Sequence, residues 1–226
     1  MAIINMVYLA KEEGWWKPWA NTVIYYEFDW NLNDGSWNGY NLTNSWTTFI
    51  TLASWKQVLS VEQASASYSW WPNLTWKSLT ASFWFADTAT RSWYSDWSYF
   101  RLANWNSNIF VVRHAWPIQS NKIYFWATSR SNWNDAPSYN DLARHYVVIT
   151  FDTSTKQLKE YIDNSLKATT TYTGTAFSTI TNIIIGWLGF EGQVHFNLSE
   201  FILEDKVRTA QEISDYYNQT KWDYWL

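Results

Sequence analysis

Apolar and polar residues alternate with a period of two along most of the chain, and the alternating segments are short. They are rich in β-branched and aromatic residues and are bounded by turn clusters, which is typical of strands in antiparallel sheets. The predicted strands are 22–29, 57–61, 79–85, 108–113, 122–125, 145–152, 157–162, 166–172, 182–185 and 193–203. The pattern therefore predicts an all-β sandwich of two packed antiparallel sheets, a fold of the jelly-roll kind.

One segment near the C-terminus departs from this period. Thr209 is followed three residues later by Glu212, which is the arrangement of a helix capping box. Ile213 and Tyr217 then lie at helical spacing and form an apolar stripe. The sequence predicts a single short helix over 210–218 that packs this stripe onto the sandwich.

Tryptophan is the residue whose positions do not fit the strand pattern. The chain has 20 Trp and only 7 Gly, and many of the Trp stand in turn neighbourhoods, as in Asp34-Gly35-Ser36-Trp37-Asn38. Glycine normally fills such positions because it adopts positive φ without strain. We therefore hypothesise that the gene comes from a genome that reads UGA as glycine, and that all Trp except Trp84 and Trp222 stand at glycine positions.

The rival interpretation is that many of the Trp are genuine and exposed as platforms on which sugar rings stack. Recoding predicts turn positions with exposed side chains, several of them with positive φ, whereas Trp84 should be buried. The expected turn positions are Trp30, Trp37, Trp46, Trp55, Trp97, Trp105 and Trp133. The codons at these positions would decide between the two interpretations.

The chain begins with a segment unlike the rest. Residues 2–10 are apolar, but the run is short, lacks a basic start and is followed by charged residues, so neither a signal peptide nor a membrane span is expected. With glycine restored, residues 11–20 read as a flexible linker. We expect a docking arm over 1–10, this linker, and a sandwich domain over 21–226. The arm residues expected to bind a partner are Ile3, Ile4, Met6, Val7, Tyr8 and Leu9.

The composition argues against some classes of binding partner and excludes some kinds of site. The net charge of -4, the pI near 5.3 and the absence of a Lys/Arg cluster argue against a nucleic-acid surface. The chain has no Cys, which excludes disulfides, cysteine-based zinc sites and a thiol nucleophile.

Five segments in chain order resemble laminin-G-like, concanavalin A-like domains. They are YEFDWNLNDGSWNGYNL from Tyr26, LTASFWF from Leu79, RHYVVITFD from Arg144, KEYIDNSL from Lys159, and the closing strand and helix over 198–218. The first segment matches well only when Trp30 and Trp37 are replaced by Gly. The resemblance implies a jelly-roll sandwich of two antiparallel sheets, and it does not settle the ligand.

Signals for catalysis are weak. Glucanases among the resembling proteins carry Glu-x-Asp-x-x-Glu on one strand, and here Glu27 and Asp29 are followed by Leu32 at the third place. The histidines lack the spacing of a metal site, and the resemblance makes His145 a structural residue. We expect no enzyme.

Calcium is the one cofactor that the resemblance keeps open, because many laminin-G-like domains bind it through loop oxygens. The candidate ligands are Asp34 and Asn38 in the first turn, and Asp135 and Asp141 in a long loop. For the first turn, the alternative is that Asp34 accepts hydrogen bonds within the turn. For the loop over 132–141, the alternative is a solvated loop that binds nothing.

Loops at the rim of a sandwich commonly carry binding residues, and tyrosine suits stacking on sugars. The candidate ligand-binding residues are Tyr94, Asp96, Tyr99, Asn132, Asp135 and Tyr139. For each tyrosine, the alternative is a packing role.

The arm, the linker and the lectin-like domain together resemble phage structural proteins that anchor a laminin-G-like head to a capsid or tail. We therefore expect a virion surface or attachment protein, assembled in the host cytoplasm, that docks on other virion proteins through the arm and binds a host surface glycan. The alternatives are a purely structural capsid decoration protein, a cell-surface adhesion protein, and a sandwich-fold glycoside hydrolase.

Overall fold

The computed structural model describes residues 20–52, 54–62, 65–69, 74, 77–88, 98–104, 107–114, 123–127, 143–171, 182–187 and 195–224. They form fourteen strands and one C-terminal helix. The strands are β1 (Thr22–Tyr26), β2 (Thr43–Ser45), β3 (Thr48–Thr51), β4 (Gln57–Glu62), β5 (Ser65–Ser69), β6 (Leu79–Asp87), β7 (Ser98–Asn104), β8 (Ser107–His114), β9 (Ile123–Ala127), β10 (Arg144–Asp152), β11 (Gln157–Ile162), β12 (Ser165–Thr171), β13 (Asn182–Trp187) and β14 (His195–Glu204). The helix is α1 (Ala210–Tyr224).

The strands form two antiparallel sheets, which confirms the predicted fold class. The larger sheet has the order β12-β11-β10-β6-β14-β4-β3, with β1 also paired to β14, and the smaller has the order β2-β5-β13-β7-β8-β9. All ten predicted strands are present. The first is shorter than predicted and ends at Tyr26, because Phe28 adopts a φ of 56° and the chain turns there.

Four strands were not predicted: β2, β3, β5 and β7. Of these, β2 and β3 are edge strands, and β3 buries none of its residues. In β3 only Phe49 is partly buried, so the sequence of this strand shows no apolar alternation. Strand β7 corrects one prediction, since Tyr99 was expected in a rim loop and its backbone lies within this strand.

Aromatic side chains fill the space between the two sheets. Phe100 of β7 contacts Phe83 of β6 and Phe201 of β14, with ring centroids 5.6 and 5.0 Å away. All three are buried. The alternation of their strands places these rings on the facing sides of the sheets, where burial of apolar surface drives the packing.

A second aromatic cluster lies on the outer side of the larger sheet, beneath α1. Trp84 is fully buried there, as predicted, and its ring lies 5.1 Å from that of Tyr146 and 5.7 Å from that of Tyr217. Tyr224 also packs on Trp84, at 5.1 Å. This contact explains why α1 continues to Tyr224 instead of ending at residue 218: its last turn still has apolar surface to bury.

Polar contacts fix the point where α1 begins. The N–H of Thr209 donates to Glu212 Oε2 at 2.7 Å, and the N–H of Glu212 donates to Thr209 Oγ1 at 3.2 Å, which is the predicted capping box. Just before it, Arg208 forms a buried ion pair with Glu204 and donates to the hydroxyl of Tyr146 at 3.0 Å. The start of the helix is therefore held against the sheet.

Candidate functional site

Most of the predicted binding residues lie outside the described residues. This applies to Tyr94, Asp96, Asn132, Asp135, Tyr139 and Asp141, and to residues 1–19, which include the docking arm and nearly all of the linker. Their roles remain predictions.

The predicted calcium residues of the first turn are part of a closed hydrogen-bond network. Asp34 is buried and its Oδ1 accepts from the N–H groups of Tyr25 and Ser36, at 3.1 and 2.9 Å. Its Oδ2 accepts from the hydroxyl of Ser36 at 2.8 Å and from the N–H of Tyr40 at 3.1 Å. Four donors already occupy the carboxylate, which favours the turn role over calcium binding.

Asn38 is committed to the same turn, because its side-chain amide donates to the carbonyl oxygen of Val23 at 2.9 Å. Among the described residues, no group of three or more His, Cys, Asp or Glu side chains is placed to hold a metal ion. Calcium binding therefore stays a prediction for the loop over 132–141.

Four of the tryptophans predicted at turns lie within the described residues and have the predicted geometry. Trp30, Trp37, Trp46 and Trp55 have φ values of 60°, 72°, 72° and 65°. Their side chains are exposed by 63%, 68%, 89% and 86%. Bulky residues rarely adopt positive φ, so these positions have the backbone that glycine favours. Trp97, Trp105 and Trp133 lie outside the described residues.

Both candidate catalytic carboxylates lie near the ammonium group of Lys56. Glu27 forms an ion pair with Lys56, with Oε1 and Nζ 2.9 Å apart. Asp29 is exposed at the turn after β1, and Leu32 packs against the core where the resembling glucanases have a third carboxylate. A glycosidase needs two carboxyl groups on either side of one bond. Here Glu27 is held in its ion pair with Lys56.

His145 has a structural environment. Its Nδ1 lies 2.6 Å from Asp163 Oδ2, and the other oxygen of Asp163 accepts the N–H of Tyr146 at 3.0 Å. Asp163 itself has a φ of 47° in the turn between β11 and β12. This contact fastens the turn to β10, in line with the structural role that the resemblance implied.

A groove on the outer side of the larger sheet is a candidate site that the sequence did not reveal. It has a volume of about 220 Å³ and lies beside the start of α1. The antiparallel register of β10 and β11 forms its floor, where Asp152 is paired with Gln157 and Thr150 with Lys159. Tyr161, two positions farther along β11, lines the same groove.

The wall of the groove is the segment from Val207 to Ala210. Thr80 of β6 fixes this wall, because its hydroxyl accepts the N–H of Arg208 at 2.9 Å and donates to the carbonyl of Lys206 at 2.7 Å. The period of two already placed Gln157, Lys159 and Tyr161 on one face. The sequence could not show that a segment about fifty residues later stops short of covering that face.

Two charged side chains at the groove, those of Asp152 and Lys159, differ in whether the described residues supply them with a partner. Asp152 accepts hydrogen bonds from Ser154 and Thr155 in the adjacent turn, which hold the pKa of its carboxyl below the usual value. Lys159 forms no ion pair within the part of the chain that the structure describes. The ammonium group of Lys159 is therefore the charge that a ligand could neutralise.

No protein-family model matches the chain, and no curated protein matches it in sequence. Solved structures share its fold. The binding domain of botulinum neurotoxin DC in complex with SialylT is 15% identical with a TM-score of 0.68, over 88% of this chain and 52% of that one. The same domain in complex with rat synaptotagmin II is 15% identical with a TM-score of 0.68, over 88% of this chain and 51% of that one. A third structure is described with the dependence of cell entry of botulinum neurotoxin type C on two ganglioside molecules. It is 13% identical with a TM-score of 0.64, over 88% of this chain and 51% of that one.

These neighbours show that the chain has the β-sandwich fold of receptor-binding domains. The chain spans about half of the length of the solved chains that it matches. Among the described residues, no helix combines the length and the apolar character needed to cross a membrane.

Proposed function

We propose that this chain is a non-catalytic, laminin-G-like glycan-binding domain displayed on the surface of a virion. One observation carries the binding part of the proposal: the sandwich has a small, open groove lined by polar side chains, while Glu27 is held in an ion pair with Lys56. Ligand sites are concave and use a small number of placed polar groups to orient the ligand.

Two further points support the glycan. The sandwich fold occurs in structures described with SialylT and with gangliosides, although those chains are about twice as long as their matched part. The groove offers amide, hydroxyl and ammonium groups, which suit the hydroxyls of a sugar. The rim loops predicted from the sequence would enlarge the contact area.

The virion part of the proposal rests on the sequence. An apolar arm over 1–10 that is joined by a flexible linker cannot pack reliably on its own domain, so its burial is expected against another protein chain. Host surface glycans and other virion proteins are the proposed partners.

We expect the protein to bind glycans without shortening them. A glycan array probed with the chain displayed in many copies, with and without calcium, measures this directly. Single-site affinity should be weak and multivalent display should make it measurable. Loss of binding when calcium is removed would assign a metal to the loop over 132–141. Absence of binding in both conditions would favour a structural decoration protein, and release of shortened sugars would favour a hydrolase.

Deleting residues 1–20 should leave a folded, monomeric domain that no longer enters particles, because the sandwich begins at Thr22. Circular dichroism and size-exclusion chromatography test the fold, and co-purification with particles tests the docking. A deletion of residues 11–20 alone is the matched control, since it removes the linker and keeps the arm. If the domain without residues 1–20 still enters particles, the arm is not the anchor.

A further inference from the structure

The groove beside the start of α1 is small. Its volume of about 220 Å³ lies below the range of roughly 300 to 1,000 Å³ that drug-sized ligands occupy. It can hold one ring with its substituents, and it is too small to enclose an oligosaccharide. A glycan bound here would therefore be recognised by a single residue of the chain, most simply its terminal one.

The floor of the groove presents hydrogen-bonding groups along two neighbouring strands. The register sets Thr150 opposite Lys159 and Asp152 opposite Gln157. The hydroxyl of Thr150, the ammonium group of Lys159 and the amide of Gln157 therefore line neighbouring positions of the groove. A planar amide donates and accepts, which matches the hydroxyls of a sugar ring. Tyr161 and Val207 add apolar surface at the other end, against which the C–H face of a ring can pack.

Of the charged side chains that line the groove, Lys159 is the one placed to bind an anionic ring. Arg208 lines the groove, but it is buried in its ion pair with Glu204 and its hydrogen bond to Tyr146. Asp152 stays ionised; its two oxygens accept hydrogen bonds from Ser154 and Thr155 of its own turn, and it forms no ion pair with Lys159 among the described residues. Lys159 is left as the cation whose ion partner is not supplied by the described residues, and a carboxylate on the ligand would supply it.

The groove is also rigid, which lowers the cost of binding. Its wall is fastened to β6 by two hydrogen bonds of Thr80 and to β14 by the ion pair of Arg208 with Glu204. A preformed wall needs no ordering when the ligand enters. Among the described residues, no tryptophan lines the groove, so the groups named above are the same whether the Trp codons encode Trp or Gly.

We propose that this groove binds the terminal acidic sugar of a glycan, a pyranose ring that carries a carboxylate, with the carboxylate on Lys159 and the ring hydroxyls on Gln157 and Thr150. This assignment rests on the proposed glycan-binding function and names its site and its ligand class.

Nuclear magnetic resonance titration of the full chain with single sugars tests the assignment. N-acetylneuraminic acid or glucuronic acid should shift backbone amide signals of β10, β11 and residues 207–210, with a dissociation constant on the order of 1 mM for one ring. Glucose, which has a CH₂OH group in place of the carboxylate of glucuronic acid, should bind about tenfold more weakly. Sodium acetate tests the carboxylate alone, and binding as tight as that of the sugar acid would overturn the sugar part of the proposal.

Two variants locate the site. Lys159→Ala should weaken binding of the sugar acid about tenfold, whereas Lys167→Ala, which removes an exposed lysine on β12, should leave it unchanged. Ala210→Trp should block the groove without a change of charge, since Ala210 is exposed at its edge. Circular dichroism checks that each variant is folded.

The outcomes separate this proposal from the broader one. If the unaltered chain binds glycans on an array and both Lys159→Ala and Ala210→Trp bind equally well, the groove is not the site and the proposed function stands. If the unaltered chain retains no glycan at all, both proposals fail. Equal affinity for glucose and glucuronic acid would overturn the acidic-sugar assignment alone.

Discussion

Replacing Trp30, Trp37, Trp46 and Trp55 together by Gly is expected to raise the free energy of unfolding by about 4 kcal/mol. All four residues have positive φ, where a side chain costs roughly 1 to 2 kcal/mol and glycine is unstrained. Part of the gain is offset because glycine has more freedom in the unfolded chain. Their side chains are exposed, so their removal sacrifices little buried surface. Urea denaturation of both proteins measures the difference.

Trp222 provides the matched control. It is exposed like the other four, but it lies within α1, where glycine is an unfavourable residue. Trp222→Gly should therefore lower the free energy of unfolding by about 0.5 to 1 kcal/mol. A decrease of stability in the fourfold variant would contradict the glycine interpretation of these positions.

The same fourfold variant distinguishes the two interpretations of the tryptophans in a second way. If these rings are sugar platforms, glycan binding on an array should fall when they are removed, even as stability rises. If they stand at glycine positions, binding should be kept. The hypothesis of recoded UGA codons thus has a protein-level test besides the codons themselves.

The sequence predicted the parts of the fold in which burial alternates. Strand β11 was predicted with its observed bounds, because Leu158 and Ile162 face the core and Lys159 and Tyr161 the other side. Alternation is a local property, and a sequence records it directly. Strand β3 was not predicted, since Phe49 is its only partly buried residue.

The candidate site was harder to predict, because it joins distant segments. The floor at Thr150 and Lys159 and the wall at Val207 meet only through the path of the chain between β14 and α1. The motif around Asp34 had two interpretations, and only the positions of its four donors favour the structural one. Spacing in a sequence cannot show which donors a carboxylate meets in space.

Glu160 leads to the second large effect, which depends on pH. Its side chain is fully buried on the core side of β11, between Ile149 and Ala168 of the neighbouring strands. Neither carboxylate oxygen has a hydrogen-bond partner among the described residues. Burial raises the pKa of this carboxyl to about 8, against a partial opposing effect of the charge on Lys167. The folded protein therefore keeps a proton on Glu160 that the unfolded chain releases at lower pH.

Glu160→Gln should raise the free energy of unfolding at pH 7 by on the order of 3 kcal/mol and leave it nearly unchanged at pH 4. A carboxyl whose pKa is raised in the folded state contributes its full stability below the unfolded value, near 4.5, and loses it as pH rises towards 8. Glutamine keeps the shape of the protonated acid and has no charge to bury. Urea denaturation of both proteins from pH 4 to pH 8 measures the change in slope.

Glu212→Gln is the control with the opposite sign. The ammonium of Lys206 and the N–H of Thr209 hold the pKa of Glu212 below its usual value, so its stabilising contribution is present at neutral pH and lost as pH falls. Its replacement should lower stability at pH 7 and have little effect at pH 3. If Glu160→Gln shows this same direction, or if the stability of the unaltered chain does not decline between pH 5 and 8 relative to the variant, Glu160 is ionised in the fold and must be paired with a cation across the core.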